Sequence, residues 1–323
     1  MSRRKIESLL GEKIEYLEHV ASKVGNYYKP FDIYTPGKKP RHIDNPNSDL
    51  KKIQKKIKSR VLETVILPET MMGGIKDKSH KDNALRHIDK KVVITLDLKS
   101  YFPKTNNRNI YDVFINVFGC NRETAHLFTK LTSYQRRLPQ GAPSSTLLAN
   151  MCVLPMHNDL QELFNRNDIT WTFYIDDIAF SGDNADKVID EAIKIIQNHG
   201  QGVSCKKKKI MYANNRQMVT KLCVNRKVGI KKEKINKIRE DIINLSWQPN
   251  IDNRKLQAIK GSINYVKSIC AVRGQSLDNL YKKMLPAKTG LIGKKPKIKT
   301  TSCKCSKKHR EYVKGVRNIS NKE

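Results

Sequence analysis

Three aspartates, Asp97, Asp176 and Asp177, are the residues whose type and spacing are best suited to chemistry in this chain. Each stands among apolar neighbours, VVITLDL around the first and FYIDDIAF around the pair, in a protein with a formal charge of +32. A carboxylate at the edge of a core strand is costly unless it is paired or meets a cation. Magnesium suits such a cluster, because it prefers hard oxygen ligands and shares its shell with substrate phosphates. Adjacent side chains on a regular strand point to opposite faces, so Asp176 and Asp177 serve one site only if the chain turns sharply there. With Asp97 on a neighbouring strand, the acids are expected to hold two magnesium ions roughly 3.5–4 Å apart, the arrangement used for in-line phosphoryl displacement. One ion would activate an attacking hydroxyl while the other steadies a triphosphate and its leaving pyrophosphate. An Asp-Asp pair taken alone is usually only an exposed turn; the surrounding elements decide.

Those elements read as a mixed α+β chain. Residues 92–98 form an apolar, β-branched run that predicts a buried strand ending in Asp97. Residues 170–175 and 178–181 predict two further strands with the acid pair at their junction. Helices are expected near residues 106–118 and 122–133, as one long helix over 144–164, and over 185–198, with another strand at 219–224. Upstream, residues 1–29 read as a helical lead-in and 34–48 as extended or looped, with prolines at 36, 40 and 46. Leu50, Ile53, Ile57, Val61 and Val65 then recur at helical spacing, with Lys51, Lys52, Lys55, Lys56, Lys58 and Arg60 on the other face. From Lys232 the pattern is helical and predicts a separate small domain. The expected organisation is 1–33 lead-in, 34–230 main body, 231–285 helical domain and 286–323 basic tail, the last with 12 basic and two acidic residues.

The 63 lysines and arginines against 31 acidic residues point to a polyanionic partner, with nucleic acid as the expected one. No apolar run approaches the roughly 20 residues of a spanning helix, and MSRRKIESLLGEK has no uninterrupted signal core. A soluble, cytoplasmic protein without a membrane partner is therefore expected. Seven scattered cysteines suit reduced thiols rather than a disulfide framework. Cys303, Cys305 and His309 lack a fourth ligand nearby and are read as part of the tail, not as a zinc site.

VVITLDLKSYFP, LPQGAPSSTLLAN and FYIDDIAFSG stand in the order and approximate spacing of the palm motifs of reverse transcriptases, and the chain resembles that family over roughly residues 35–285. The resemblance implies a right-hand polymerase fold, with fingers and palm in which an antiparallel sheet packs on helices, and a small helical thumb. It implies Asp97 and Asp176 as principal metal ligands, Asp177 as supporting acid and the Leu98 carbonyl as a further ligand. Tyr174 would lie near the primer terminus, and Phe102 would screen the sugar 2′ position in favour of dNTPs. Gln140 and Gly141 would lie against the incoming nucleotide. Arg41, in KKPRHIDNP beside Lys38 and Lys39, would grip the triphosphate, and Lys208 or Lys209 would protonate departing pyrophosphate.

DNALRH supplies Asn83, Ala84 and His87 of an NAxxH element that looks like the retron branch. VTKLCVN is similar to that branch's VTG-containing segment, with Val219 and Thr220 kept and Lys221 where glycine is usual. Tyr-Ile-Asp-Asp likewise replaces Tyr-Ala-Asp-Asp, and IKGSINYVKSI resembles the thumb. These segments imply RNA and primer contacts at Asn83, His87, Val219, Thr220 and Lys221. The retron resemblance implies a structured noncoding RNA serving as both template and primer. Synthesis would start at the 2′-hydroxyl of an internal guanosine and yield branched, RNA-linked single-stranded DNA (msDNA). It further implies removal of template RNA by host RNase H, a separate effector protein and a role in antiphage defence. The 38 residues after the thumb are too few for an RNase H or endonuclease domain, so a mobile intron-type enzyme is not expected. Two other readings stay open: another bacterial antiphage reverse transcriptase with different priming, and a non-catalytic RNA-binding protein built on the same palm.

Overall fold

The computed structural model describes residues 2–37, 39–248 and 252–285. Lys38 and the basic segment from residue 286, with Cys303, Cys305 and His309, lie outside the described residues.

Helices α1 (Arg3–Leu10) and α2 (Ile14–Ser22) form the lead-in. The Ser2 side chain caps α1, and Gly11 ends it in the left-handed conformation that a residue without Cβ adopts most readily. Strands β1 (Phe31–Ile33) and β2 (Arg41–Ile43) pair antiparallel, with Phe31 opposite Ile43. The expected boundary after residue 33 therefore falls inside a hairpin. Helix α3 (Ser48–Arg60), capped by Asn47, buries Leu50, Ile53 and Ile57 and leaves its lysines outward, as the spacing predicts.

Helix α4 (His80–Leu85) precedes β3 (Val92–Asp97), followed by α5 (Tyr101–Lys104), α6 (Asn107–Asn116) and α7 (Arg122–Thr132). The helix expected over 144–164 is in fact two, α8 (Ser145–Cys152) and α9 (Leu154–Arg166). Pro155, which has no N–H to donate, sits at the start of the second and breaks the first at Val153. Then come β4 (Thr170–Tyr174), β5 (Asp177–Gly182), α10 (Ile189–Asn198) and β6 (Lys209–Tyr212). The strand expected over 219–224 is a minimal hairpin, β7 (Met218–Val219) and β8 (Leu222–Cys223), turning at Thr220-Lys221.

The central antiparallel sheet has the order β4-β5-β3-β6. Strand alternation divides its side chains between two cores. Ile94, Leu96, Ile178 and Phe180 face the helices of the main body, while Val93, Ala179 and Met211 face the other way. That second face is covered by β7–β8 and by α11 (Lys232–Ser246), α12 (Asn253–Ile269) and α13 (Ala271–Met284). The C-terminal helices were expected to be a separate domain; instead their apolar stripe is continuous with the sheet's underside.

Candidate active site

Strand pairing gathers the acids. Asp97, the last residue of β3, lies opposite Asp177, the first of β5, and Tyr174 lies opposite Asp177 across the β4–β5 hairpin. Only Ile175 and Asp176 connect the two strands, so the turn brings the adjacent acids to one end of the sheet. The Leu98 N–H donates to the Asp176 carbonyl at 2.8 Å, fastening the turn to the end of β3. Asp97 is buried, at 8 % exposure, and Lys207 Nζ donates to its Oδ1 at 2.5 Å. Burial and the neighbouring Asp97 raise the Asp176 carboxyl above the usual range, against the pull of Lys207 and Arg41. Asp177 reaches open solvent, yet desolvation on its cleft side and repulsion from Asp176 and Asp97 push it up to about 6.

On one side of the acids stands the fingers hairpin. The Gln140 side-chain amide, oriented so that both ends are satisfied, donates to the His42 carbonyl at 3.0 Å and accepts from Arg41 Nε and Nη2 at 3.3 Å. The 138–143 loop is held to β2 through Asp44, a residue that sequence reasoning missed. Buried at 2 % exposure, Asp44 accepts the Gln140 N–H at 3.0 Å, and its own N–H donates to the Gln140 carbonyl at 2.9 Å. Gly141 has φ +131°, and a Cβ there would lie 2.9 Å from Ile43 Cγ2, so close backbone approach fixes that glycine. Arg41, Gln140 and Gly141 thus form one cluster, and the charge of Arg41 is felt at Asp176. Phe102 is half-buried, edge-on to Tyr101, whose hydroxyl donates to the Ala149 carbonyl at 2.5 Å.

On the other side a cleft of about 790 Å³ runs from Asp97 and Asp177 to the C-terminal helices. Tyr174 lines it, with Lys206, Lys207, Lys209, Lys221, Lys231 and Lys234. Its far wall is a stacked pair, His80 on α4 against Tyr265 on α12, with ring centroids 5.5 Å apart and Lys234 Nζ 3.9 Å from the Tyr265 ring centre. Lys207 is a further residue that the sequence did not single out: Lys209 pairs with Thr95 in the sheet, and Lys207 is the lysine on the acids. A run of four lysines holds no signal to say which of them points inward.

The five residues read as RNA and primer contacts divide. Lys221 is exposed on the cleft wall, and the Thr220 hydroxyl donates to the His80 carbonyl at 2.9 Å. Both have positive φ, +68° at Lys221 and +45° at Thr220, which explains why glycine fits position 221. Val219 is buried at 1 %. Asn83 is buried at 1 % against the cleft wall, with its Oδ1 unpartnered among the described residues. His87 does not meet the expectation: fully buried, its Nδ1 bonds Ser181 Oγ at 2.7 Å and its Nε2 bonds Thr172 Oγ1 at 2.8 Å. With both ring nitrogens spent on β4 and β5, it braces the acid-bearing hairpin and has none left for RNA.

The donor set fits a divalent cation. Burial first, and the neighbouring carboxylates second, raise Asp176 and Asp177 above the usual range, and a cation relieves both costs. Among the described residues no group of three or more His, Cys, Asp or Glu side chains stands ready-made to hold a metal ion. An open arrangement suits an ion bound by one or two carboxylates and completed by substrate phosphates. Asp97, Asp176, Asp177 and the Leu98 carbonyl are the groups that would hold it. Among the described residues no helix is long and apolar enough to cross a membrane.

Residues 33–242 match the family model described as reverse transcriptase (RNA-dependent DNA polymerase). Among curated proteins, the chain is 29 % identical over 248 residues to the Retron Ec86 reverse transcriptase of Escherichia coli, covering 74 % of this chain and 76 % of that one. It is 27 % identical over 193 residues to the Retron Se72 reverse transcriptase of Salmonella heidelberg, covering 59 % and 51 %. Among solved structures, the foamy viral protease-reverse transcriptase dRH in complex with double-stranded DNA aligns with 90 % of this chain and 42 % of its own, at 18 % identity and TM-score 0.48. The acids at the end of an antiparallel palm sheet and the matched span agree, and the curated relatives are retron enzymes: the chain belongs to the reverse transcriptase family, the RNA-directed DNA polymerases.

Proposed function

We propose that this enzyme copies a structured noncoding RNA, which is both template and primer, into branched RNA-linked single-stranded DNA, in a system that serves antiphage defence with a separate effector. Host RNase H would trim the template. The observation that carries the catalytic part is the pairing of Asp97 with Asp177 at the mouth of a lysine-lined cleft. Magnesium held by Asp97, Asp176, Asp177 and the Leu98 carbonyl would, when bound, acidify the attacking hydroxyl and neutralise the triphosphate. The protein's own groups do the rest. Arg41 and Gln140 grip the triphosphate and sugar, and Phe102 excludes a 2′-hydroxyl by its bulk. Tyr174 supports the primer end, and the lysines of the cleft neutralise backbone phosphates without reading sequence. Lys207, with its ammonium proton stabilised by Asp97, is the donor best placed to protonate departing pyrophosphate.

Primer extension by the purified protein on an RNA template with magnesium tests the site. Asp176→Ala should abolish extension while RNA affinity stays near wild type, because Asp176 itself does not line the lysine-rich cleft. Normal extension by that variant would remove the acid pair from the mechanism. Sequencing the 5′ junction of DNA made in cells tests the priming: an RNA branch at a 2′-linked guanosine is expected. Lys221, where the retron segment carries glycine, favours a second reading of different priming, and an unbranched 5′ end would select it.

A further inference from the structure

The acid-bearing turn is strained, and something must hold it. Ile175 has φ +63°, a region that a β-branched residue keeps only when its surroundings leave no alternative. Those surroundings are the segment Thr70–Gly74, which runs beside β4. The Phe173 N–H donates to the Thr70 carbonyl and the Met72 N–H to the Phe173 carbonyl, both at 2.8 Å, with Met71 bridging Phe173 in parallel. Gly73 follows and is pressed on the turn itself. A Cβ at 73 would lie 2.6 Å from the Ile175 nitrogen, 2.6 Å from Ile175 Cγ1 and 2.9 Å from the Tyr174 carbonyl carbon. Backbone atoms cannot step aside as a flexible side chain can, so glycine is required here for space.

The same segment is fixed from behind. Asn150, fully buried on α8, donates from Nδ2 to the Gly73 carbonyl at 2.9 Å, and its Oδ1 is buried without a partner among the described residues. An unpaired buried oxygen is a cost that an apolar residue at 150 would avoid; what the amide supplies in return is this anchor. Gly74, at φ +70°, lies so close to the Thr146 side chain of α8 that a Cβ there would overlap it. Helix α8 begins where the Gln140–Gly141 loop ends, so one buttress is set against both the nucleotide-side helix and the acid turn.

We propose that Gly73, anchored by Asn150, is a positioning residue that holds the Ile175 backbone and thereby sets the place of Asp176 relative to Asp97. This rests on the acids being the catalytic centre. A methyl group at 73 must push the turn away from the segment, against the fixed bond from the Leu98 N–H to the Asp176 carbonyl. A displacement of about 1 Å at a reacting centre is enough for a loss on the order of 100-fold.

The test uses the full chain and four variants. Gly73→Ala should lower kcat for primer extension about 100-fold while the KM for dNTP and the RNA affinity hold. Terbium binding, read by tyrosine-sensitised luminescence without turnover, should weaken about tenfold, one decade in affinity. Asn150→Ala should give the same pattern at smaller amplitude. The double variant Gly73→Ala/Ile175→Gly, which removes the Cγ1 contact and lets the turn shift, should recover at least part of both losses. A folded Gly73→Ala protein with wild-type kcat and terbium affinity overturns the proposal. Should that variant fail to fold, wild-type values for Asn150→Ala overturn it equally. Asp176→Ala separates the two levels: if it is inactive while Gly73→Ala and Asn150→Ala are normal, positioning alone is wrong, and if it is active, the acid assignment is wrong.

Discussion

At Asp44 one buried carboxylate accepts from the Gln140 N–H at 3.0 Å and from Arg137 Nη2 at 3.5 Å, with His42 Nε2 3.3 Å away. Charge-assisted bonds of this kind contribute about 1.5–3 kcal/mol, and here they fix the loop that carries Gln140 against the strand that carries Arg41. Asp44→Asn keeps the acceptor oxygen but removes the charge, so the cluster should loosen without collapsing. The expected outcome is a KM for dNTP raised about tenfold or more with kcat little changed, measured by steady-state extension on a saturating template. An effect on kcat alone would mean that Asp44 acts on the acids instead. A second residue-scale prediction concerns the lysines. Lys207 donates directly to Asp97, whereas Lys209 is held in register with Thr95. Lys207→Met should therefore slow single-turnover extension well beyond what Lys209→Met does, and equal effects would return both residues to general electrostatic attraction.

The β4–β5 hairpin and the His87 ring that braces it hold two titrations of opposite sign. Burial, chiefly, lowers His87 to about 3, so its neutral ring contributes stability in full above its ordinary 6.5, and that contribution is lost as pH falls toward 3. Asp177 is raised to about 6, chiefly by desolvation, so the folded chain holds its proton more tightly than the unfolded one and gains relative stability as pH falls from 6 toward 3.8. Between about pH 6 and 4 the two slopes oppose each other. In metal-free protein, urea unfolding of Asp177→Asn should lose stability with falling pH at up to about 1.4 kcal/mol per unit, whereas His87→Gln should show the reverse slope. Matching slopes in both variants would mean that other groups control acid unfolding. The same hairpin shows how much the sequence discloses. Strands 92–97, 170–174 and 177–182 and the convergence of the acids were legible, because apolar β-branched runs and a two-residue turn act locally. His87, Asp44 and Gly73 were not, since each works through a partner 77 to 102 positions away in sequence: His87 through Thr172 and Ser181, Asp44 through Arg137 and Gln140, Gly73 through Asn150 and Ile175. The break at Val153 was legible in Pro155 but was masked by apolar periodicity that continues on both sides. The β7–β8 hairpin was hidden because its turn uses Thr220 and Lys221 instead of the glycine and asparagine that usually mark positive φ.

Across the described residues, the C-terminal helices share a core with the underside of the sheet, through Val93, Ala179 and Met211, so thumb and palm are neighbours in contact. The His80–Tyr265 stack and the bond from Lys81 Nζ to the Ser268 carbonyl at 2.8 Å close that contact on the cleft side. The six cleft lysines line one cavity, and a phosphate backbone laid there would release counterions in proportion to the contacts made. The segment beyond Leu285 adds 12 basic and two acidic residues, and removing it lowers the formal charge from +32 to +22. If those residues also meet phosphates, each contact contributes about 0.7 to the salt slope on a single strand and about 0.9 on a duplex. Truncation after Leu285 should then weaken RNA binding at low salt and flatten the plot of log affinity against log salt by several such increments. Because the acids and the nucleotide cluster lie within residues 41–177, kcat at saturating template should hold. Equilibrium binding at four or five salt concentrations, paired with saturating extension kinetics, separates these effects: an unchanged slope assigns all phosphate contact to the cleft, and a lost kcat makes the tail part of the catalytic assembly.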